Sequence, residues 1–246
     1  ARKSIAQLLG CQAKEIIFTS CGTEADAWIL QAAVRDLGVK RIITSSIEHQ
    51  AVLANVEDLS DKNVQIDYVN YLENGEVSRE HLKQLLAGSE EKTLVSLMHV
   101  NNEIGNLTPI DQVAKLCHDY QALFHCDAVQ SIGKLPIDLS QEKVDFLAAS
   151  AHKFHGPKGV GFAFVREQHQ LKPMLLGGEQ ERGRRAGTEN ITLITGMEKA
   201  LALKINNLKS DRKKVLQLKH YFIEQLQQEI PQVVFNGTCL DDAKSA

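Results

Sequence analysis

The stretch EIIFTSCGTEADAWILQAAVRDLG, residues 15–38, places a short β-rich run directly before a helical pattern. The apolar residues of its second half recur at the spacing of one helix face. Gly38 stands where such a helix would stop, and a turn at Gly22-Thr23 joins the two halves. The stretch therefore predicts a strand, a tight turn and a helix in that order.

The same unit repeats along the chain. Further β-rich runs occur at 41–46, 64–70, 93–100, 122–127, 144–150 and 160–166, with helical patterns at 48–59, 78–88 and 108–120. A long helical pattern runs from Ile191 toward residue 229, and a strand-like QVVF follows at 232–235. Repeated strand–helix units predict a mainly parallel sheet covered by helices on both faces, which is an α/β domain.

Composition limits the kinds of protein this chain can be. Its 246 residues are 43% hydrophobic with a formal net charge of −3, which suits a large core and indicates no nucleic-acid binding. No apolar stretch reaches membrane-spanning length, and the N-terminal ARKSIAQLLG lacks the layout of a signal peptide. The five cysteines form no C-x-x-C pair, which argues against a disulfide scaffold and a structural zinc site. We therefore expect a cytoplasmic protein with no metal and with neither nucleic acid nor membrane as a partner.

Polar residues gather after the β-rich runs. In open α/β sheets, ligands bind beyond the carboxyl ends of the strands, so these positions indicate the chemistry. The residues found there are Thr19 to Glu24, Glu48, His49, Asn101 to Glu103, Asp127, Gln130, Ser150, His152 and Lys153. Because parallel strands end at the same edge of a sheet, we expect these side chains to form one site.

A lysine at the end of a buried strand calls for a chemical role. Lys153 lies between two histidines after the apolar run VDFLAA, and a partly desolvated lysine can form a Schiff base with a carbonyl. Pyridoxal phosphate (PLP) also needs a carboxylate opposite its ring nitrogen, donors for its phosphate and a flat contact for its ring. The candidates are Asp127 for the nitrogen, Gly22, Thr23, Ser150 and His152 for the phosphate, and His49 for the ring.

Each of these assignments has an ordinary structural alternative. Lys153 would equally suit a solvated loop, Asp127 could cap a helix, and His49 could lie satisfied in a core. The SCGTEA turn alone is a weak phosphate signal, because strand–glycine–helix turns are common. The joint occurrence of the whole set at successive strand ends favours the PLP site over these alternatives.

Six motifs follow one another along the chain: FTSCGTEAD, EHQAVL, HVNNEIGNLTPI, FHCDAVQSIGK, SAHKFHGPKGVG and GGEQERGRRAGTEN. Together they resemble the signatures of cysteine desulfurases, PLP enzymes of the class V aminotransferase group that serve iron–sulfur cluster assembly and related sulfur transfer. The resemblance implies the large domain of fold type I PLP-dependent transferases, with a mainly parallel seven-stranded sheet. We expect this domain over residues 1–207 and the start of a small domain over residues 208–246.

The resemblance implies a role for each matching residue. Lys153 would carry the cofactor and take the α-proton of the substrate, and His49 would stack on the ring and move protons; these two are the expected catalytic residues. Asp127 would pair with the ring nitrogen. Gln130 would bond the phenolic oxygen of the ring, and Asn102 would lie beside that oxygen and the substrate.

The resemblance also implies the phosphate contacts and the assembly. Contacts to the phosphate fall to Gly22, Thr23, Ser150 and His152. Thr188 is expected to reach the phosphate held by the other subunit, which implies a homodimer. The implied reaction converts L-cysteine to L-alanine and leaves a persulfide on an enzyme cysteine, from which a sulfur-acceptor or scaffold protein would take the sulfur.

The chain departs from the family pattern at both ends. In the family the sulfur-accepting cysteine lies on a loop beyond the FNG stretch, here 235–237, and Cys239 comes too early to match it. The opening strand of the family and the arginine expected to hold the substrate carboxylate have no match either. We therefore expect a chain truncated at both ends, whose activity alone stays open. The alternatives are a related PLP lyase of the selenocysteine lyase type and a catalytically inactive PLP-binding or interaction fragment.

Overall fold

A seven-stranded sheet organises the chain. The computed structural model describes residues 1–246, and its strands are β1 (Ile16–Thr19), β2 (Arg41–Thr44), β3 (Gln65–Tyr68), β4 (Thr93–Met98), β5 (Leu123–Asp127), β6 (Phe146–Ser150) and β7 (Gly161–Val165). They lie in the order β1-β7-β6-β5-β4-β2-β3. Strands β2 to β6 pair in parallel, whereas β7 runs antiparallel to both β1 and β6. The predicted mainly parallel, seven-stranded sheet is confirmed.

Helices connect and flank these strands. The α-helices are α1 (Arg2–Leu8), α2 (Gly22–Leu37), α3 (Gln50–Ser60), α4 (Arg79–Ala87), α5 (Ile110–Asp119), α6 (Ile191–Asn206) and α7 (Leu208–Glu229). Short 3₁₀ helices span Ala13–Glu15, Ala151–Phe154 and Gln180–Gly183. None of the helices combines the length and the apolar character needed to cross a membrane.

Each face of the sheet is covered by its own apolar cluster. One cluster packs α2 and α3 against the sheet, and the other packs α1, α4, α5 and α6 against the opposite face. Along β6, Phe146 and Ala148 join the first cluster, while Leu147 and Ala149 join the second. Burial on both faces explains why β6 reads as a continuous apolar run.

Two details near the C-terminal end differ from the predictions. The helical pattern from Ile191 forms two helices, because Asn207 leaves helical backbone geometry and its side-chain amide donates to the Leu203 carbonyl at 3.0 Å. The strand-like QVVF forms no strand, since it pairs with none of the seven strands, and Val234 is 82% exposed. The division into domains at residues 207 and 208, which falls at the break between α6 and α7, stays a prediction.

The antiparallel pairing of β7 with β1 and β6 determines that these two neighbours end at the same edge of the sheet. Its pairing places Gly161 opposite Thr19, the last residue of β1, and opposite Ser150, the last residue of β6. Because β7 is antiparallel to both neighbours, β1 and β6 end at the same edge. A Cβ added at Gly161 would lie 2.4 Å from the Ala149 carbonyl oxygen and 2.9 Å from the Cys21 carbonyl carbon. Glycine is therefore required where these three backbones approach one another.

Replacing Gly161 with alanine should lower the free energy of unfolding by roughly 2–4 kcal/mol. The added methyl group would overlap backbone atoms of Ala149 and Cys21, which cannot move aside as a flexible side chain could. Urea unfolding of the variant and the wild type measures the difference. Gly88→Ala is the matched control, since the nearest atom to its added Cβ lies 3.3 Å away and its φ is −84°. A loss of the same size in both variants would contradict the backbone-contact explanation.

Candidate active site

A cavity of about 240 Å³ opens at the carboxyl edge of the sheet, between segments that follow β1, β2, β4, β5 and β6. Nine of the ten residues predicted for the site line it: Gly22, Thr23, His49, Asn102, Asp127, Gln130, Ser150, His152 and Lys153. Thr188, the tenth, lines a different cavity. Nine side chains that the sequence predicted at successive strand ends therefore line one cavity. The roles assigned to them stay predictions.

The turn from β1 into α2 forms one wall of the cavity. Cys21 is extended, with φ −172° and ψ 177°, and α2 begins at Gly22. The first backbone N–H groups of a helix have no acceptor within the helix, so they are free to bind an anion. A Cβ added at Gly22 would lie 2.5 Å from Val129 Cγ2, which explains the glycine at this position. The wall suits a phosphate.

The segment after β6 supplies further polar groups. Ser150 Oγ and His152 Nδ1 share a hydrogen bond of 3.0 Å. Burial, followed by the charges of Lys153 and Lys158, lowers the pKa of His152, so its ring is neutral near pH 7. The 3₁₀ helix that carries these residues ends at His155, whose φ of 68° is left-handed. His155, which the sequence left without a chemical role, thus terminates this turn.

Lys153 lies in the same 3₁₀ helix and faces two cavities. It lines the cavity described above and also a neighbouring one that contains Lys134, Lys204 and Arg212. Burial and the charges of Lys153 and Lys204 lower the pKa of Lys134. Lys153 therefore lies beside three further cationic side chains.

Asp127 ends β5 at the floor of the cavity and is 7% exposed. Its Oδ1 accepts a hydrogen bond from the Val129 N–H at 2.9 Å within a turn, and no helix begins there, so the alternative of a helix-capping role is not realised. Burial, and then the neighbouring carboxyl of Asp26, raise the pKa of Asp127 to about 7. A buried carboxyl with no cationic partner fits a ligand that brings an N–H⁺ group to it.

His49 lies at the N-terminal end of α3. Its Nδ1 accepts a hydrogen bond from the Ala51 N–H at 3.0 Å, which leaves Nε2 to carry the ring proton. The side chain is exposed and lines the cavity, so the alternative of a histidine satisfied in the core is wrong. A ring held at its Nδ1 edge and open to the cavity is suited to stacking on a flat ligand.

Two amide side chains complete the predicted set. Gln130 Oε1 accepts a hydrogen bond from Lys134 Nζ at 2.9 Å, which leaves its NH₂ group available as a donor. Asn102 Nδ2 donates to Glu103 Oε1 at 2.6 Å near the opening of the cavity. Both amides therefore lie where a bound ring could be contacted, although each also has a partner within the chain.

Sequence reasoning missed Asp26, which lines the floor of the cavity and is 1% exposed. The signal that could have found it is helical spacing, because Asp26 follows Gly22 by four residues and so lies on the same face of α2. Cys21 also lines the cavity, with its Sγ 3.6 Å from Ser20 Oγ.

The segment that carries Thr188 is held to α1, β1 and α2. Arg2 forms a two-bond ion pair with Glu181 at 2.6 Å, and Glu181 also accepts the Phe18 N–H at 2.9 Å. Arg185 pairs with Glu24 at 2.8 Å. Within one chain Thr188 lines a cavity with Ser20, Glu189 and others, so its predicted role requires a second subunit.

The residues of the cavity fit PLP chemically. The fit rests on a lysine at one strand end, a buried carboxyl that lacks a cation, and the free N–H groups of a 16-residue helix that begins at the cavity wall. Ser150, His152 and Thr23 add side-chain polar groups at the same wall.

Known proteins are similar to this chain in sequence and in fold. Residues 1–245 match the family Aminotransferase class-V. The chain is 40% identical over 239 residues to a cysteine desulfurase IscS of Dictyoglomus turgidum, covering 96% of this chain and 60% of that protein. A NifS-like protein of known structure has a TM-score of 0.89 at 38% identity, covering 92% of this chain and 63% of that one. A structure of SspA in complex with cysteine has a TM-score of 0.77 at 35% identity, covering 82% of this chain and 58% of that one.

The chain therefore spans about 60% of the length of the curated relatives it matches. The resemblance inferred from the six ordered motifs is confirmed by similarity along nearly all of this chain. The sheet order, the cavity at the strand ends and this similarity together show that the chain belongs to the class-V aminotransferase family, among relatives named cysteine desulfurases.

Proposed function

We propose that this chain is the PLP-binding part of a cysteine desulfurase, which converts L-cysteine to L-alanine and passes the sulfur to an enzyme thiolate as a persulfide. The observation that carries the proposal is the meeting of Lys153, the buried Asp127 and the N-terminus of α2 at one cavity. In this reaction the C–S bond of cysteine breaks, sulfur joins the thiolate, and a proton takes its place on the carbon that becomes the alanine methyl group.

When bound, PLP supplies an electron-withdrawing ring that stabilises negative charge at the α-carbon of the substrate. The residues of this chain would bind the cofactor and move the protons of the reaction. The amine of Lys153 is the group that would attach to the cofactor aldehyde and then move the α-proton. Asp127 would accept the N–H⁺ of the ring, and the exposed ring of His49 would stack and carry protons at Nε2.

The phosphate and the ring oxygen have their own partners in the proposal. The N–H groups at Gly22 and Thr23 would bind the phosphate together with Ser150 and His152, whose mutual hydrogen bond already orders them. Gln130 and Asn102 line the same cavity and would contact the phenolic oxygen and the substrate. We also propose the cytoplasm as the compartment.

L-cysteine as substrate rests on the relatives. Curated proteins named cysteine desulfurase are about 40% identical to this chain, and a similar solved structure, SspA, contains cysteine. The chain spans about 60% of the length of these relatives, so sulfur transfer to an acceptor or scaffold protein is part of the proposal.

A homodimer is also proposed. Thr188 would complete the phosphate contacts of a second subunit, and the segments on either side of it expose large apolar side chains, with Leu176 86% and Ile191 70% exposed. Exposed apolar residues next to a polar segment are typical of subunit interfaces.

Borohydride reduction of the PLP-soaked chain should leave a phosphopyridoxyl group on Lys153 and on no other lysine, because only this lysine lines the proposed PLP cavity. Peptide mass mapping measures the modification. Lys153→Ala should abolish it, whereas Lys158→Ala, which alters an exposed lysine in the same segment, should retain it. A folded wild-type chain without a tag on Lys153 would overturn the proposed PLP site.

Asp127→Asn should make the cofactor-free chain more stable at pH 8 by about 1–3 kcal/mol, with a smaller gain at pH 5. The folded state binds the Asp127 proton more tightly than the unfolded chain, in which a carboxyl ionises near pH ~4. The wild type therefore loses stability as the pH rises from ~4 through the folded pKa of about 7. Asparagine cannot ionise and avoids this loss.

Urea unfolding at the two pH values measures the effect. The matched control is Asp58→Asn, which changes an exposed carboxyl and should follow the wild type at both pH values. A stability difference between Asp127→Asn and wild type that does not grow with pH would show that Asp127 ionises normally.

Joining residues 1–246 to the C-terminal remainder of a class-V relative should give a protein that releases alanine from L-cysteine, and Lys153→Ala should abolish that release. Amino-acid analysis of the product measures it. Faster release of selenide from selenocysteine than of sulfide from cysteine would favour the lyase alternative. No alanine from a folded, PLP-loaded protein would favour the inactive PLP-binding fragment.

A further inference from the structure

Three polar side chains from three different elements meet beneath the cavity. His125 Nε2 of β5 lies 3.2 Å from Asp26 Oδ1 of α2, and His125 Nδ1 shares a hydrogen bond of 2.9 Å with Ser96 Oγ of β4. The side chains of His125 and Asp26 are 0% and 1% exposed. Nothing in the proposed function uses this group, and its burial calls for a reason.

His125 and Asp26 have no other partners for the atoms that face each other. Neither His125 Nε2 nor Asp26 Oδ1 makes a hydrogen bond elsewhere in the chain. A buried carboxylate and a buried imidazolium would each be expensive if they stood alone. At 3.2 Å a proton held between the two atoms satisfies both of them.

The charges of the two groups point to one shared proton. Burial raises the pKa of Asp26 to about 8 and lowers the pKa of His125 to about 4, so each group is driven toward its neutral form. A neutral carboxylic acid donating to a neutral imidazole meets both tendencies. The pair then carries no net charge near pH 7.

The pair lies next to Asp127. His125 and Asp127 are alternate residues of β5 and so point to the same side of the sheet. Asp26 lines the cavity together with Asp127, and a negative charge on Asp26 would raise the pKa of Asp127. The charge state of the pair therefore acts on the carboxyl proposed to face the ring nitrogen.

Two more ionisable groups face Asp127. Glu48, which follows β2, is buried, and its Oε1 accepts a hydrogen bond from Ser45 Oγ at 2.6 Å. Burial is the largest cause that raises the pKa of Glu48 above its ordinary value. His49 lies on the open side of the cavity, and its charge would lower the pKa of Asp127. Glu48 does not line the cavity, and Asp26 Oδ1 faces His125, so Asp127 is the carboxyl left to face a cationic ligand.

We propose that Asp26 and His125 are positioning residues that hold one proton between them, stay neutral, and so leave Asp127 as the single negative charge opposite the ring nitrogen of the cofactor. This inference rests on the proposed function, because it takes Asp127 as the partner of that nitrogen. If a hydrogen-bond donor replaced His125, it would stabilise the Asp26 carboxylate, so Asp26 would ionise at lower pH and add a second negative charge near the ring nitrogen.

The first test uses the 246-residue chain without cofactor and reads the ring of His125 by ¹⁵N and ¹³C NMR from pH 6 to pH 8. A shared proton predicts that His125 shows no midpoint near its ordinary pKa of about 6.5 in this range. It also predicts that Asp26→Asn changes the ring signals of His125 and not those of His169. A His125 ring that titrates normally, or that ignores Asp26→Asn, would overturn the pair.

The second test binds ¹⁵N-labelled PLP and follows the ring nitrogen signal with pH, a readout that does not depend on turnover. His125→Gln should raise the pH at which the ring nitrogen loses its proton by about one pH unit, because a second negative charge nearby stabilises the ring proton. The double variant Asp26→Asn/His125→Gln should return that midpoint to within about 0.3 units of wild type, since asparagine cannot ionise. A purely structural role for His125 would give no such rescue.

The matched control is His169→Gln. His169 Nε2 pairs with Asp145 Oδ1 at 2.6 Å, away from the cavity, so its loss should leave the ring nitrogen midpoint unchanged. A His125→Gln variant that binds PLP with the wild-type midpoint would overturn the inference and leave the proposed function intact. A folded wild-type chain that binds no PLP would instead overturn the proposed function together with the role given to Asp127.

Discussion

The approach of three backbone segments at Gly161 determines much of this structure. β7 is the one antiparallel strand among parallel neighbours, and it fits between β1 and β6 only because Gly161 has no side chain to meet Ala149 and Cys21. This insertion brings the start of α2 beside the end of β6. The helix terminus suited to an anion and the lysine suited to an aldehyde are thus neighbours in space, although about 130 residues separate them in the chain.

The second organising feature is the number of carboxyls buried at one place. Asp26, Glu48 and Asp127 lie beneath the same cavity, and burial raises the pKa of each. Asp26 has a histidine, Glu48 has a serine hydroxyl, and Asp127 has a backbone N–H. The three carboxyls are therefore chemically distinct, and such differences allow neighbouring acids to take different charge states at one pH.

The sequence could predict most of the fold because each strand ends in a recognisable turn. The β-rich runs predicted the strands. The rule that ligands bind at the carboxyl edge of the sheet predicted one common site, and nine of the predicted residues line one cavity. Asp26 was missed because a buried acid and a solvated one look alike in a helical pattern. His125 was missed in the same way, since a polar residue within a β-rich run gives no sign of what its ring will face.

The remaining differences have local physical causes. The helical pattern after Ile191 is continuous in hydrophobicity, yet a single side-chain amide at Asn207 divides it. QVVF has the composition of a strand, but a strand also needs a neighbour with free backbone groups, and composition cannot supply one. The role predicted for Thr188 involves a second subunit, and within one chain Thr188 lines a separate cavity.

Helix α7 has a consequence for the motions of the molecule. It is 22 residues long and buries none of them, and its polar side chains contact the rest of the chain through ion pairs and hydrogen bonds to Lys204, Asp242 and Ser245. With so little apolar contact, its backbone hydrogen bonds can open without disturbing the sheet. Amide hydrogens of α7 should therefore exchange with solvent well before those of β5 and β6, so that the chain consists of a slowly exchanging core and one helix that opens independently.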